Sequence, residues 1–168
     1  HMQYGLIFES AVVANNIALL NGEDKVLLGG AYLYRQKRLI EDFDKLYGEK
    51  LSSLFEAGIL ACLEGRVKAL AHLKEVEDNI PDTEEFGEQE GAYAQNLLIA
   101  LLYLIKFSTG EQFEDFERSV SLAIDNIDLV NYEKDESYDE EAVTQEEIAI
   151  LIDMIDKLVK RVGGGKRY

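Results

Sequence analysis

Leu97-Leu98-Ile99-Ala100-Leu101-Leu102-Tyr103-Leu104-Ile105 is the stretch that decides the fold. Nine residues without a charge are too few to span a bilayer, which takes about 20. They are also apolar around every side of a helix, and a soluble helix of that kind must be enclosed by others. Working outward, the helix is predicted to run from about Glu88 to Ser108, with Thr109-Gly110 ending it. Upstream, Pro81 stops the preceding segment, because the residue before a proline avoids the α region. Asp82 and Glu85 have the spacing of a capping box.

The flanking sequence has helical period, and no stretch alternates as a strand would. A first helix is predicted from about Gly5 to Leu20, stopped by Asn21-Gly22. A second runs from Asp24 to Leu46, with Gly29-Gly30 as its weak point. A third spans about Lys50 to Glu64. A fourth spans about Arg66 to Asn79 and turns Val67, Leu70, Leu73 and Val76 inward, with Ile80 after them. After the apolar helix, a sixth covers about Glu111 to Val130, burying Phe113, Phe116, Val120, Ala123, Ile124 and Ile127. Asn131 to Glu141 reads as an acidic loop. The last helix is predicted to open at Thr144, whose spacing to Glu147 is again that of a capping box, and to stop at Gly163-Gly164-Gly165. The expectation is an all-α protein: a single-domain bundle of about seven helices around a central hydrophobic helix. Residues 3–162 form the domain and 163–168 a disordered tail.

Composition agrees with a globular chain. Of 168 residues, 47% are hydrophobic and 30% charged, with one proline. The single cysteine, Cys62, excludes an internal disulfide, and its apolar neighbours predict a buried, inert thiol. His1 reads as a cloning remnant, no secretory signal is visible, and a cytoplasmic location is expected.

Charge is distributed unevenly. From Glu75 to Asp156 there are 24 acids against Lys106, Arg118 and Lys134, a net of −21, whereas the remainder is net +5. A field of that sign repels nucleic acid and anionic lipid and attracts basic partners. Acids near helix starts favour the positive end of the helix dipole, but that role does not explain the crowding between Glu133 and Glu141. The candidate partner-binding residues are Asp82, Glu84, Glu85, Glu88, Glu90, Glu133, Asp135, Glu136, Asp139, Glu140 and Glu141.

Catalytic constellations are missing from the sequence. His72 and Glu75 are three residues apart, but in the reverse order of a Glu-x-x-His ligand pair and without a second such motif. The acidic clusters lack the order of a calcium loop, and no phosphate-cradling or nucleophile-elbow motif is present. No cofactor or metal is expected. Arg35, Lys37 and Arg38 are expected to pair with Glu41, Asp42 or Asp44.

The segment Leu73 to Phe86 resembles the hallmark E-x-x-I-P-D-T-E-x-F of the bacterial family named domain of unknown function 416. Glu77, Ile80, Pro81, Asp82, Thr83, Glu84 and Phe86 match it. Phe43 to Gly48 is similar to the family's F-x-x-x-Y-G stretch, and the similarity covers about Tyr32 to Val130. The resemblance implies a small, soluble, all-helical bacterial protein and brings no activity with it.

Three functions follow as expectations. The first is an acidic binding module, an immunity or inhibitor protein that neutralises a basic partner such as a toxin nuclease domain. The second is an enzyme whose site assembles from scattered residues, with His72 in a polar pocket. The third is a structural protein, including a homodimer formed through an apolar helix face.

Overall fold

The computed structural model describes residues 5–165, and side chains from 7 to 161. The described residues form nine helices and no strand. These are α1 (Gly5–Glu9), α2 (Ala11–Ile17), α3 (Gly22–Tyr34), α4 (Lys37–Tyr47), α5 (Leu51–Glu64), α6 (Arg66–Asp78), α7 (Gln89–Gly110), α8 (Phe113–Lys134) and α9 (Glu140–Gly165). The class is all-α, as the sequence predicts, with two more helices than expected. The expected start at residue 3 and the tail residues 166–168 lie outside the described residues. The glycine run does not stop α9, which continues through Gly165.

The apolar stretch is the centre of the molecule. Helix α7 buries Leu97, Leu98, Leu101, Leu104 and Ile105, and α3, α4, α5, α6 and α8 all pack on it. Each such side chain contributes about 1.5–3 kcal/mol on leaving water. Helices α3 and α5 come close to α7 where they carry glycine. A Cβ at Gly29 would stand 2.8 Å from a Leu104 methyl, and one at Gly58 2.6 Å from a Leu101 methyl.

Both extra helices come from chain breaks. The first predicted helix is interrupted at Ser10, whose backbone is extended (φ −60°, ψ 124°), and ends at Ile17. Asn21 is the start signal of α3, not the stop signal of its predecessor: its side chain accepts a hydrogen bond from the Asp24 backbone N–H. The second predicted helix breaks at Gln36 instead of Gly29-Gly30. The reason is polar. The Gln36 side chain is buried, donates to the Ala123 carbonyl at 2.7 Å and accepts from Asn126 at 3.1 Å. Asn126 also donates to the Tyr93 carbonyl and accepts from Asn96. This amide cluster turns the chain between α3 and α4 and locks the corner onto α7 and α8.

Helices α7 and α8 are antiparallel. Tyr93 O meets Asn126, Ala100 O meets Ser119, and the Phe107 and Phe116 rings lie 5.6 Å apart, so positions descend on one helix as they rise on the other. The start of α7 therefore lies beside the end of α8.

Several local expectations are corrected. Helix α8 continues to Lys134, which shortens the acidic loop. Helix α9 opens at Glu140, capped by the Asp139 carboxylate accepting from Ala142 N–H at 3.0 Å. Thr144 is inside the helix and donates to the Glu140 carbonyl. Asp82 and Glu85 do not open a helix; Asp82 closes a turn by accepting from Glu84 N–H, and α7 begins later. Phe113 is partly exposed, and Val67 and Leu70 face outward; α6 instead buries Ala69 and Val76.

Candidate functional site

The antiparallel α7–α8 pair brings the two acidic segments to one end of the bundle. Asp82, Glu84, Glu85 and Glu88 occupy the α6–α7 connection, with Glu90 in the first turn of α7. Glu133 ends α8, Asp135, Glu136 and Asp139 form the α8–α9 connection, and Glu140 and Glu141 open α9. Tyr93 reports the juxtaposition. Burial raises its hydroxyl pKa, and the charges of Glu133 and Glu90, one from each segment, raise it further. Nine of the eleven carboxylate residues are exposed; Glu90 and Glu140 are half-buried.

Both connections are held in place. Phe86 packs edge-on against Phe43 and Tyr47, with ring centroids 5.0 and 4.8 Å away, and the Glu88 backbone N–H donates to the Tyr47 hydroxyl. Gln95 donates to the Pro81 carbonyl. On the other connection, the Tyr138 hydroxyl donates to the buried Asp128 carboxylate. Asp135 accepts from both the backbone and the hydroxyl of Ser137, and these bonds hold its carboxyl below the usual range.

Within the 82–90 and 133–141 segments Lys134 is the one basic residue. Among the described residues, Asp82, Glu84, Glu85, Glu88, Glu90, Glu133, Asp135, Glu136, Asp139 and Glu141 make no ion pair. The cations pair elsewhere, mostly one turn apart along α6, α8 and α9. Two of the three basic-patch residues pair with other partners than expected, Arg35 with Glu147 and Lys37 with Glu56. Asp44 caps α5 by accepting from the Leu51 and Ser52 backbone N–H groups.

Below the acidic end are ionisable groups whose burial no local spacing announces. Glu147, 4% exposed, accepts from the Tyr32 hydroxyl at 2.5 Å and from Arg35 at 3.1 Å. Burial first, then the Glu147 charge and hydrogen bond, push the Tyr32 pKa far above the usual phenol range. Asp125, half-buried on α8, has its carboxyl pushed up to about 6 by burial and by the charge of Asp128. The first of these groups was hidden by its spacing from Thr144, which imitates a cap.

The opposite end of the bundle holds a cleft of about 870 Å³ between the start of α3, the α5–α6 turn and the end of α7. Glu23, Asp24, Glu64 and Glu111 line it together with Arg66 and Arg161. Cys62 lies on its wall, 4% exposed, and burial pushes its thiol up to about 12 against a smaller opposing pull from Ser108. His72 does not line this cleft. It sits on α6 with Nδ1 3.1 Å from the Lys68 carbonyl oxygen. Among the described residues, no group of three or more His, Cys, Asp or Glu side chains is arranged to hold a metal ion. No helix among them is long and apolar enough to cross a membrane.

The chain matches no family model, no curated protein and no solved structure. The acidic end, with both of its connections anchored, is the feature on which a functional reading rests.

Proposed function

We propose that this protein is a binding module for a basic protein, acting as an immunity or inhibitor protein that neutralises a nuclease-like toxin. The observation that carries the reading is the set of exposed carboxylates Asp82, Glu84, Glu85, Glu88, Glu133, Asp135, Glu136, Asp139 and Glu141, brought to one end and making no ion pair among the described residues. Crowding like charges opposes folding, and among the described residues no ion pair to these nine carboxylates relieves it. A basic partner would. Carboxylates spaced over two anchored connections can occupy the positions that nucleic-acid phosphates take on a nuclease, and steering by the acidic field speeds the encounter.

Rigidity supports the same reading. The aromatic contacts of Phe86 and the Tyr138–Asp128 bond fix both connections before any partner arrives, which reduces the entropy lost on binding. The Asp82 and Asp139 carboxylates also shape the backbone that presents their neighbours.

The test is co-expression with a basic toxin-like protein encoded beside this chain, followed by measurement of its RNA or DNA cleavage. The expected result is a stable complex, loss of cleavage, and an association rate that falls by about 10- to 100-fold between low and high salt. Exchanging Glu133, Asp135 and Glu136 for their amides should weaken the complex without unfolding the chain. Unimpeded cleavage, or inhibition that ignores both salt and these exchanges, would end the proposal.

A further inference from the structure

Helix α6 and the end of α5 expose apolar side chains, two of which, Val67 and Leu70, were expected to be buried. Val67 is 83% exposed, Leu70 54%, Leu60 51% and Leu63 43%, with Ala57 and Ala71 exposed among them. Val67 and Leu70 are one turn apart on α6 and so adjoin, and adjoining exposed aliphatic side chains mark a docking surface.

Helix α6 also carries its charges against its own dipole. Arg66 and Lys68 sit in the first turn, where the helix end is partially positive; Glu75, Glu77 and Asp78 sit in the last turn, where it is partially negative. The pairs Lys68–Glu64 and Lys74–Asp78 are exposed and lie one turn apart, so they answer this only in part. On the helix surface, Val67, Ala71, Lys74 and Asp78 follow one line. Arg66 and Lys68 flank its start, and Glu75 and Glu77 flank its end.

We infer that two copies of this chain associate through this face, with their α6 helices antiparallel about a two-fold axis. That arrangement sets Arg66 and Lys68 of each copy against Glu75, Glu77 and Asp78 of the other, with the axis near Ala71 and with Leu60, Val67 and Leu70 as apolar contacts on either side of it. The contact is isologous, so each pairing occurs twice. Charge permits this contact. The chain carries −16, but α6 is neutral, with Arg66, Lys68 and Lys74 against Glu75, Glu77 and Asp78. Two molecules meet along it without net repulsion, and the antiparallel arrangement keeps their acidic ends apart. The inference rests on neither the acidic end nor its partner.

Sedimentation equilibrium of the full chain from about 1 μM to about 1 mM tests it. The mass should rise from the 19.0 kDa of one chain towards twice that value. Val67→Glu alters a side chain that is 83% exposed, so the fold is kept, and it should weaken dimerisation at least about tenfold. The double exchanges Arg66→Glu/Lys68→Glu and Glu75→Lys/Asp78→Lys both suit the helix dipole and should each weaken self-association. Mixed, they should form a heterodimer tighter than either homodimer. A constant single-chain mass over the whole range would overturn the inference and leave the face to a different protein. A dimer indifferent to Val67→Glu, or mixing that restores nothing, would overturn it equally.

Discussion

Tyr32 donates its hydroxyl hydrogen to the Glu147 carboxylate at 2.5 Å, joining α3 to α9 across 115 residues of sequence. Arg35 supplies a second bond to the same oxygen and stacks its guanidinium 5.3 Å from the Tyr32 ring centroid. Helix α9 makes its contacts with α2 and α3, so this buried charge bears directly on how the last helix is held.

Exchange of Glu147 for alanine is expected to cost about 2–3 kcal/mol, because it breaks a partly buried ion pair and strands the buried Tyr32 hydroxyl. Tyr32→Phe, which leaves Arg35 to answer the carboxylate, should cost about 1–3 kcal/mol. Urea unfolding midpoints check both values. A Glu147→Ala protein as stable as the parent would contradict the structural role assigned to this pair.

Asp125 gives a pH dependence with a definite sign. Its carboxyl titrates near 6 in the folded chain, above the ordinary value of 3.8, so folding favours the protonated form. The stability this group contributes is fully present below about pH 4 and is lost as pH rises through about 6. Asp125→Asn should therefore stabilise the protein at pH 7.5 by about 1 kcal/mol, a figure reduced for the half-exposed position, and should give no gain at pH 4. Paired urea titrations at the two pH values decide it.

Gly91 stands where the α6–α7 connection crosses the start of α7. A Cβ there would lie 2.0 Å from the Phe86 carbonyl oxygen, and backbone cannot swing aside as a side chain can. Gly91→Ala is expected to cost about 2–3 kcal/mol and to move the Phe86 ring away from Tyr47. Faster amide hydrogen exchange across residues 84–90 would register the displacement, and unchanged exchange would contradict the packing described.

Cys62 should be a slow thiol. With its pKa pushed up to about 12 and only 4% exposure, alkylation by iodoacetamide at pH 8 should be at least about 100-fold slower in the native chain than in urea. Equal rates in the two conditions would count against the burial of α5's inner face.

The legibility of the sequence varied with the range of the interaction. Leu97 to Ile105 announced a central helix because nothing but enclosure satisfies an all-round apolar surface. Period and stop signals found the other helices, yet Gly29-Gly30 misled: these glycines serve close packing, and the break belongs to Gln36, whose partners are 87 and 90 residues away. Thr144 and Glu147 have the spacing of a cap, and only the arrival of Tyr32 and Arg35 shows that the glutamate is buried. Apolar period counted Val67 and Leu70 as core, because period identifies a stripe without saying which stripe has a neighbour. The acidic residues were visible one by one. Their assembly at one end follows from the antiparallel α7–α8 pairing, which no local spacing encodes.

The carboxamides of Gln36, Asn96 and Asn126 have one more consequence. Aliphatic seams between helices tolerate slippage, since one leucine fills another's place with little change in energy. Were α8 to slide by a turn past the α3–α4 corner, Asn126 and Gln36 would each lose their counterparts inside a dry interior, at about 1–3 kcal/mol per orphaned group. The amides thus act as a pawl: the greasy surfaces draw the helices together, and the polar teeth permit a single alignment.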